Sequence, residues 1–175
     1  MAVLEIKKYP EKILREKTFP VKKFNSELQR LIDDMIETMY AAFGVGLAAN
    51  QVGVQKQVIV IDVSSREAVD VASPPESPLI VLINPEIIAS EGETEIEEGC
   101  LSLPGYMTVI KRAEKVRVRG LDRQGKPIEI EGTGLLSRAL QHEIDHLNGL
   151  LLIDRIGRLK KELFKKRYKV AGLAT

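Results

Sequence analysis

The sequence predicts an α+β fold: a single compact domain over residues 1–175, with antiparallel or mixed sheets around a central helix that carries the string HEIDH, plus an N-terminal and a C-terminal helix. Three observations predict it. One stretch has clean helical periodicity, several short runs are β-branched or alternating, and a second helical stretch near the end holds both histidines of the chain. The length of 175 residues suits one domain with a substantial core. Apolar residues at 44% and charged residues at 29% are an ordinary globular balance, and a net charge of +1 points neither to nucleic acid nor to a strongly acidic partner. No apolar run approaches the roughly 20 residues needed to span a bilayer. The opening MAVLEIKKYPEK carries charge early and lacks an apolar signal core, so the expected location is the cytoplasm.

In chain order, NSELQRLIDDMIETMYAA places Leu28, Leu31, Ile32, Met35, Ile36 and Met39 at three- and four-residue steps, one apolar helix face, with Asn25 or Ser26 as its cap. FGVGLAANQVG then breaks the pattern with three glycines. QVIVIDV and LIVLINP are short β-branched runs that read as buried strands. The proline- and serine-containing stretch 64–78 between them reads as an exposed loop. TEIEE reads as a strand, with Cys100 in a loop-like segment behind it. EKVRVRGLDRQGKPIEIEG gives two alternating strands joined near Gln124 and Gly125. A second helix starts at a Thr133 cap and ends near Gly149, and IGRLKKELFKKRYK predicts a basic third helix over about 157–170. Leu159, Leu163 and Phe164 are its apolar positions.

The chemistry concentrates in ALQHEIDHLNGLL. Residues four apart on a helix lie one above the other, so His142 and His146 can direct two imidazole nitrogens at one point, the geometry a divalent metal takes from two of its ligands. Glu143, about 100° further round, is placed as a general base for a water at that metal. Leu140, Ile144 and Leu147 indicate that this face is buried, where two imidazoles beside a carboxylate are costly without a shared purpose. A third ligand is then required; no histidine remains, a carboxylate can serve, and Cys100, the only cysteine, is the better candidate. Gly99 before it allows close backbone approach. A lone cysteine also reads as a small buried hydrophobe, or as a nucleophilic thiol activated by histidine. Metal ligation is preferred because it uses all four residues. GVGLAANQ lacks the lysine of a phosphate loop and a full G-x-G-x-x-G; its small residues leave room for a backbone to lie close, with Gln51 the one long polar group at its end.

Three segments, GVGLAANQ (44–51), EGCLS (98–102) and QHEIDH (141–146), together resemble the signature motifs of the peptide deformylases. Weaker similarity covers nearly the whole chain, least so around 64–78 and beyond about 155. The resemblance implies an enzyme that removes the N-formyl group from the initiator methionine of new bacterial or organellar polypeptides. It implies Cys100, His142 and His146 as metal ligands, Glu143 as catalytic acid and base, and Gln51 and the Leu101 N–H flanking the substrate carbonyl. Gly46 presents backbone groups to an extended peptide, and Val45, Ile96, Glu97, Leu135 and Ala139 line the methionine pocket with Gly99 beside them. Arg138 falls at the pocket mouth, where the family pattern leads one to expect an apolar residue. The resemblance further implies Fe²⁺ as the native ion, with Zn²⁺, Ni²⁺ or Co²⁺ as substitutes, formyl-methionyl nascent chains as substrate, and ribosome contact through the basic C-terminal helix, which otherwise reads as a solvated helix packed on its own domain.

Two readings stay open for Glu98 and Arg112: a pair that holds the cysteine loop, or two separate surface charges. Asp145 either orients a neighbour or faces solvent. A zincin-like metallopeptidase is the rival activity, against which the short chain and the EGCLS cysteine speak.

Overall fold

The computed structural model describes residues 2–64 and 78–170; nearly all of the 64–78 loop lies outside the described residues. Its α-helices are α1 (Ser26–Ala41), α2 (Gly134–Leu147) and α3 (Arg158–Val170). Its strands are β1 (Gly46–Ala48), β2 (Val58–Ile61), β3 (Ile80–Glu91), β4 (Thr94–Cys100), β5 (Leu103–Arg112), β6 (Lys115–Leu121) and β7 (Pro127–Thr133). One antiparallel sheet runs β1-β2-β3-β6-β7, and β4 and β5 form a separate two-stranded ribbon.

The expected helices form for the expected reasons. The Asn25 side chain accepts the Leu28 N–H at 3.0 Å and caps α1. Thr133 occupies the cap position of α2 without a side-chain hydrogen bond. At the other end the Gly149 N–H reaches the His146 carbonyl and the Leu150 N–H reaches that of Asp145. This is the paired bonding of a Schellman ending, with Gly149 left-handed at φ +75°. A Cβ there would sit 2.4 Å from the Arg15 carbonyl oxygen. Gly149→Ala is therefore expected to cost at least about 1–3 kcal/mol, read as a lower denaturation midpoint with an unchanged slope; an unaltered midpoint would refute the account.

Strands β1 to β3 are sandwiched. Leu47, Val58, Val60 and Ile83 pack towards α1, while Ala48, Ile59, Ile61 and Leu82 pack towards α2 with Val116, Val118, Leu140 and Ile144. A strand covered on both faces must be apolar at every position, which explains the unbroken run VIVI. Burying such a side chain contributes about 1.5–3 kcal/mol, so this double layer fixes α2 rigidly against the sheet.

The hairpin turn falls at Asp122–Gly125, where the Asp122 carboxylate accepts the Gln124 and Lys126 N–H groups at 2.9 Å each. Several elements differ from expectation. β1 forms from the glycine-rich break because β2 offers it a free edge, and β5 forms although it opens with Leu-Pro-Gly, because β4 pairs along it. The same pairing makes Cys100 the last residue of a strand rather than a loop residue, at a register shift between Gly99 and Cys100. In α3 the buried face is Phe164 and Tyr168, while Leu159 and Leu163 are exposed. The aromatic face wins because rings await it: Phe164 lies 4.6 Å from Tyr106 and 5.3 Å from Tyr9, centroid to centroid.

Candidate active site

The three elements that the sequence motifs mark meet at one place. The segments flanking β1, the end of β4 and one side of α2 border a cleft of about 410 Å³. Val45, Gly46, Gln51, Glu97, Glu98, Gly99, Cys100, Leu101, Leu135, Ala139, His142 and Glu143 all line it. His146 and Arg112 are buried behind the wall. Ile96 is not among the lining residues: at about 3.3 Å per residue it lies some 13 Å up β4 from Cys100, and it is 40% exposed. Arg138 does line the cleft, one turn before His142 on α2. Leu103, Pro104, Tyr106 and Met107 of β5 line the cleft as well; no sequence motif marks them, because β5 has no strand signature of its own.

At the floor, the Cys100 Sγ is 3.3 Å from the His146 Nε2, which is 3.1 Å from the His142 Nε2. One donor atom from each residue falls within 4.8 Å of the others. Burial opposes charge on His142, yet the Cys100 sulfur and the Glu98 carboxylate push its pKa well above the ordinary range. Burial, and then the charge on His142, push His146 well below. A soft thiolate with two imidazoles fits a divalent transition metal, and the His142 Nδ1, 3.2 Å from the Glu98 Oε1, has the outer partner that a metal-bound imidazole usually keeps.

Glu143 is fully packed in, and its Oε2 has no hydrogen-bond partner among the described residues. Burial raises its carboxyl to about 7, against the lowering pull of His142 and Arg112. A Cβ on Gly46 would fall 2.6 Å from the Glu143 Oε1 and 2.9 Å from its Cγ, so only glycine lets this strand lie against the carboxylate. Gly46→Ala is expected to displace the carboxylate and lower kcat roughly 100-fold with metal content unchanged; turnover within twofold of the parent would contradict this.

Gln51 is held at both ends of its amide. Its Oε1 accepts the Ala48 N–H at 3.0 Å, and its Nε2 donates to the Ser102 hydroxyl at 3.0 Å while lying 3.8 Å from the Cys100 sulfur. Asn50 donates to the His146 carbonyl at 2.5 Å and ties this turn to α2. Glu98 and Arg112 form a two-pronged pair at 2.8 and 3.1 Å, and Arg112 also donates to Asp145 at 2.9 Å. Asp145 therefore faces a partner and not solvent. Asn50 and Ser102 lie inside the quoted motifs, yet nothing in the sequence assigns them these bonds. Arg155, which also grips Asp145, carries no sequence signal at all.

An α+β fold that brings an H-E-x-x-H helix and a cysteine to the floor of an open cleft defines a metallohydrolase. Within that class the chain belongs to the polypeptide deformylase family, whose model matches residues 3–162. The chain is 62% identical over 169 residues to the peptide deformylase of Thermodesulfovibrio yellowstonii, covering 97% of this chain and 98% of that one. A peptide deformylase crystal structure from Legionella pneumophila superposes with a TM-score of 0.85 at 45% identity, covering 99% of each chain. One from Synechococcus elongatus, in complex with actinonin, gives 0.86 at 38% identity over 98% of this chain and 89% of that one.

Proposed function

We propose that this chain removes the N-formyl group from the N-terminal methionine of newly synthesised polypeptides. The observation that carries the reading is the convergence of Cys100, His142 and His146 on one point beside the buried Glu143 carboxylate. Membership of the deformylase family favours it over a zincin-like peptidase. Cys100, His142 and His146 would hold the metal, which would supply Lewis-acid chemistry and bring the pKa of a water from 15.7 down to about 7.

The chain's own groups do the rest. Glu143 takes a proton from the attacking water at its unpartnered oxygen and returns one to the leaving amine. Gln51 donates its two amide hydrogens to the Ser102 hydroxyl at 3.0 Å and to the Cys100 sulfur at 3.8 Å; the second, longer bond is the one the formyl oxygen takes over. The Leu101 N–H is the second donor. Each such donor is typically worth about 2.7–4 kcal/mol of barrier. Val45, Leu135 and Ala139 receive the methionine side chain, and Gly46 and Gly99 let its backbone lie close.

The native ion is Fe²⁺, with Zn²⁺, Ni²⁺ or Co²⁺ able to substitute. The site of action is the bacterial cytoplasm; none of the described helices is long and apolar enough to cross a membrane. The exposed lysines of α3 contact the ribosome. Because Phe164 and Tyr168 are core residues, charge reversal at Lys160, Lys165 and Lys166 tests this better than truncation. Ribosome co-sedimentation should fall, and should depend steeply on salt in the parent; unchanged binding would refute it. The decisive assay is formate release from formyl-Met-Ala-Ser by an anaerobic preparation, with metal measured on the same sample. Metal-loaded protein that releases no formate would overturn the proposal.

A further inference from the structure

Behind the cleft runs an unbroken chain of charged contacts that ends at the protein surface. The His142 Nδ1 meets the Glu98 Oε1 at 3.2 Å. The Arg112 Nε and Nη2 hold the two oxygens of Glu98 at 2.8 and 3.1 Å, and its Nη1 reaches the Asp145 Oδ2 at 2.9 Å. Arg155 closes the chain, with its Nη2 2.7 Å from the Asp145 Oδ1 and its Nε 3.1 Å from the Oδ2. We propose that Arg155 is a positioning residue that holds the His142 imidazole in place through Asp145, Arg112 and Glu98. The inference rests on the metal-site reading above.

Charge balance carries the argument. Glu98 and Asp145 are two carboxylates with side chains 9% and 11% exposed, and only one guanidinium, Arg112, is buried between them. One cation cannot balance two anions, and its fork binds Glu98 with two bonds but Asp145 with only one. Arg155, whose side chain is 45% exposed, brings the second cation from the rim and grips Asp145 with two bonds. Without Arg155, Asp145 competes for the Arg112 fork. Glu98 then loses the grip that fixes its rotamer, and with it goes the fixed acceptor for the His142 ring.

Arg155 is itself well placed to act as an anchor. It follows the 3₁₀ turn Leu152–Asp154 and precedes α3. In that turn the Asp154 carboxylate accepts the Leu151 N–H at 2.8 Å and pairs with Arg15 and Lys161. The clamp therefore ties the start of the C-terminal segment to the metal-site helix. Losing an outer partner of a metal-bound histidine commonly costs 10–100-fold in metal affinity or activity, and a group three contacts further out should act at the lower end.

The test uses the full chain loaded with Ni²⁺, following metal release to an excess of chromophoric chelator alongside kcat and KM. Arg155→Ala should release the metal about tenfold faster, with kcat lowered and KM little changed. Arg155→Lys, which keeps the charge but not the fork, should restore part of the parent rate. Arg158→Ala, on the same segment with a side chain 94% exposed, should match the parent. In an Asp145→Asn background, which needs no second cation, the Arg155→Ala effect should largely vanish. Should Arg155→Ala not fold, Arg155→Gln takes its place. Release at the parent rate would overturn the proposal, and so would an undiminished effect in the Asp145→Asn background. A parent chain that binds Ni²⁺ tightly yet releases no formate would sink the deformylase reading alone; one that binds no metal would sink both.

Discussion

Replacing Glu143 with glutamine is expected to lower kcat for a formyl-methionyl peptide by about 10²–10⁴-fold while the metal content stays at the parent value. The amide keeps the shape that packs against Gly46 but cannot take a proton from the attacking water. The carboxylate is no metal donor in this geometry; the convergent set is Cys100, His142 and His146. The loss should therefore appear in turnover and not in binding, with KM moving little because the formyl oxygen is met by other groups. Metal analysis and steady-state kinetics on one preparation decide it. A metal-loaded Glu143→Gln within tenfold of the parent would show that the proton moves by another route.

The largest effect on stability is expected at Arg112, a residue that touches no substrate. Arg112→Leu leaves Glu98 and Asp145 facing each other in a nearly dry interior, and breaking a buried pair in this way costs about 3–5 kcal/mol. For a chain of this size that is a fall of roughly 10 °C in Tm. The pH dependence has a definite sign. Burial raises the pKa of Glu98, but hydrogen bonds from His142 and Arg112 overcome it and leave the pKa lowered. Its contribution to stability is thus present above the ordinary glutamate range, near 4.3, and is lost as pH falls through the lower folded value. The deficit of Arg112→Leu should accordingly be widest at neutral pH and shrink in acid, as the abandoned carboxylate takes up a proton. A Glu98→Gln, Asp145→Asn, Arg112→Leu triple variant should regain much of the loss. Thermal melts from pH 4 to pH 8 provide the measurement; a pH-independent deficit would point to lost packing in place of lost charge pairing.

What the sequence determined by itself was whatever is local. The i, i+4 spacing of His142 and His146, the Asn25 cap, the Gly149 ending and the alternation of β6 and β7 each follow from neighbours within one or two turns of chain, where 3.6- and 2-residue periods govern direction. The motif residues were legible for the same reason, since each string is contiguous. Only the tertiary structure decided which distant groups share a partner. β1 and β5 are strands because β2 and β4 present open edges, and neither has the composition to announce it. Phe164 and not Leu159 faces inward because Tyr9 and Tyr106, from elsewhere in the chain, form the socket. The route from Arg155 to His142 crosses four segments and leaves no pattern in sequence, because a charge buried by folding is balanced by whichever opposite charge the packing brings within about 3 Å.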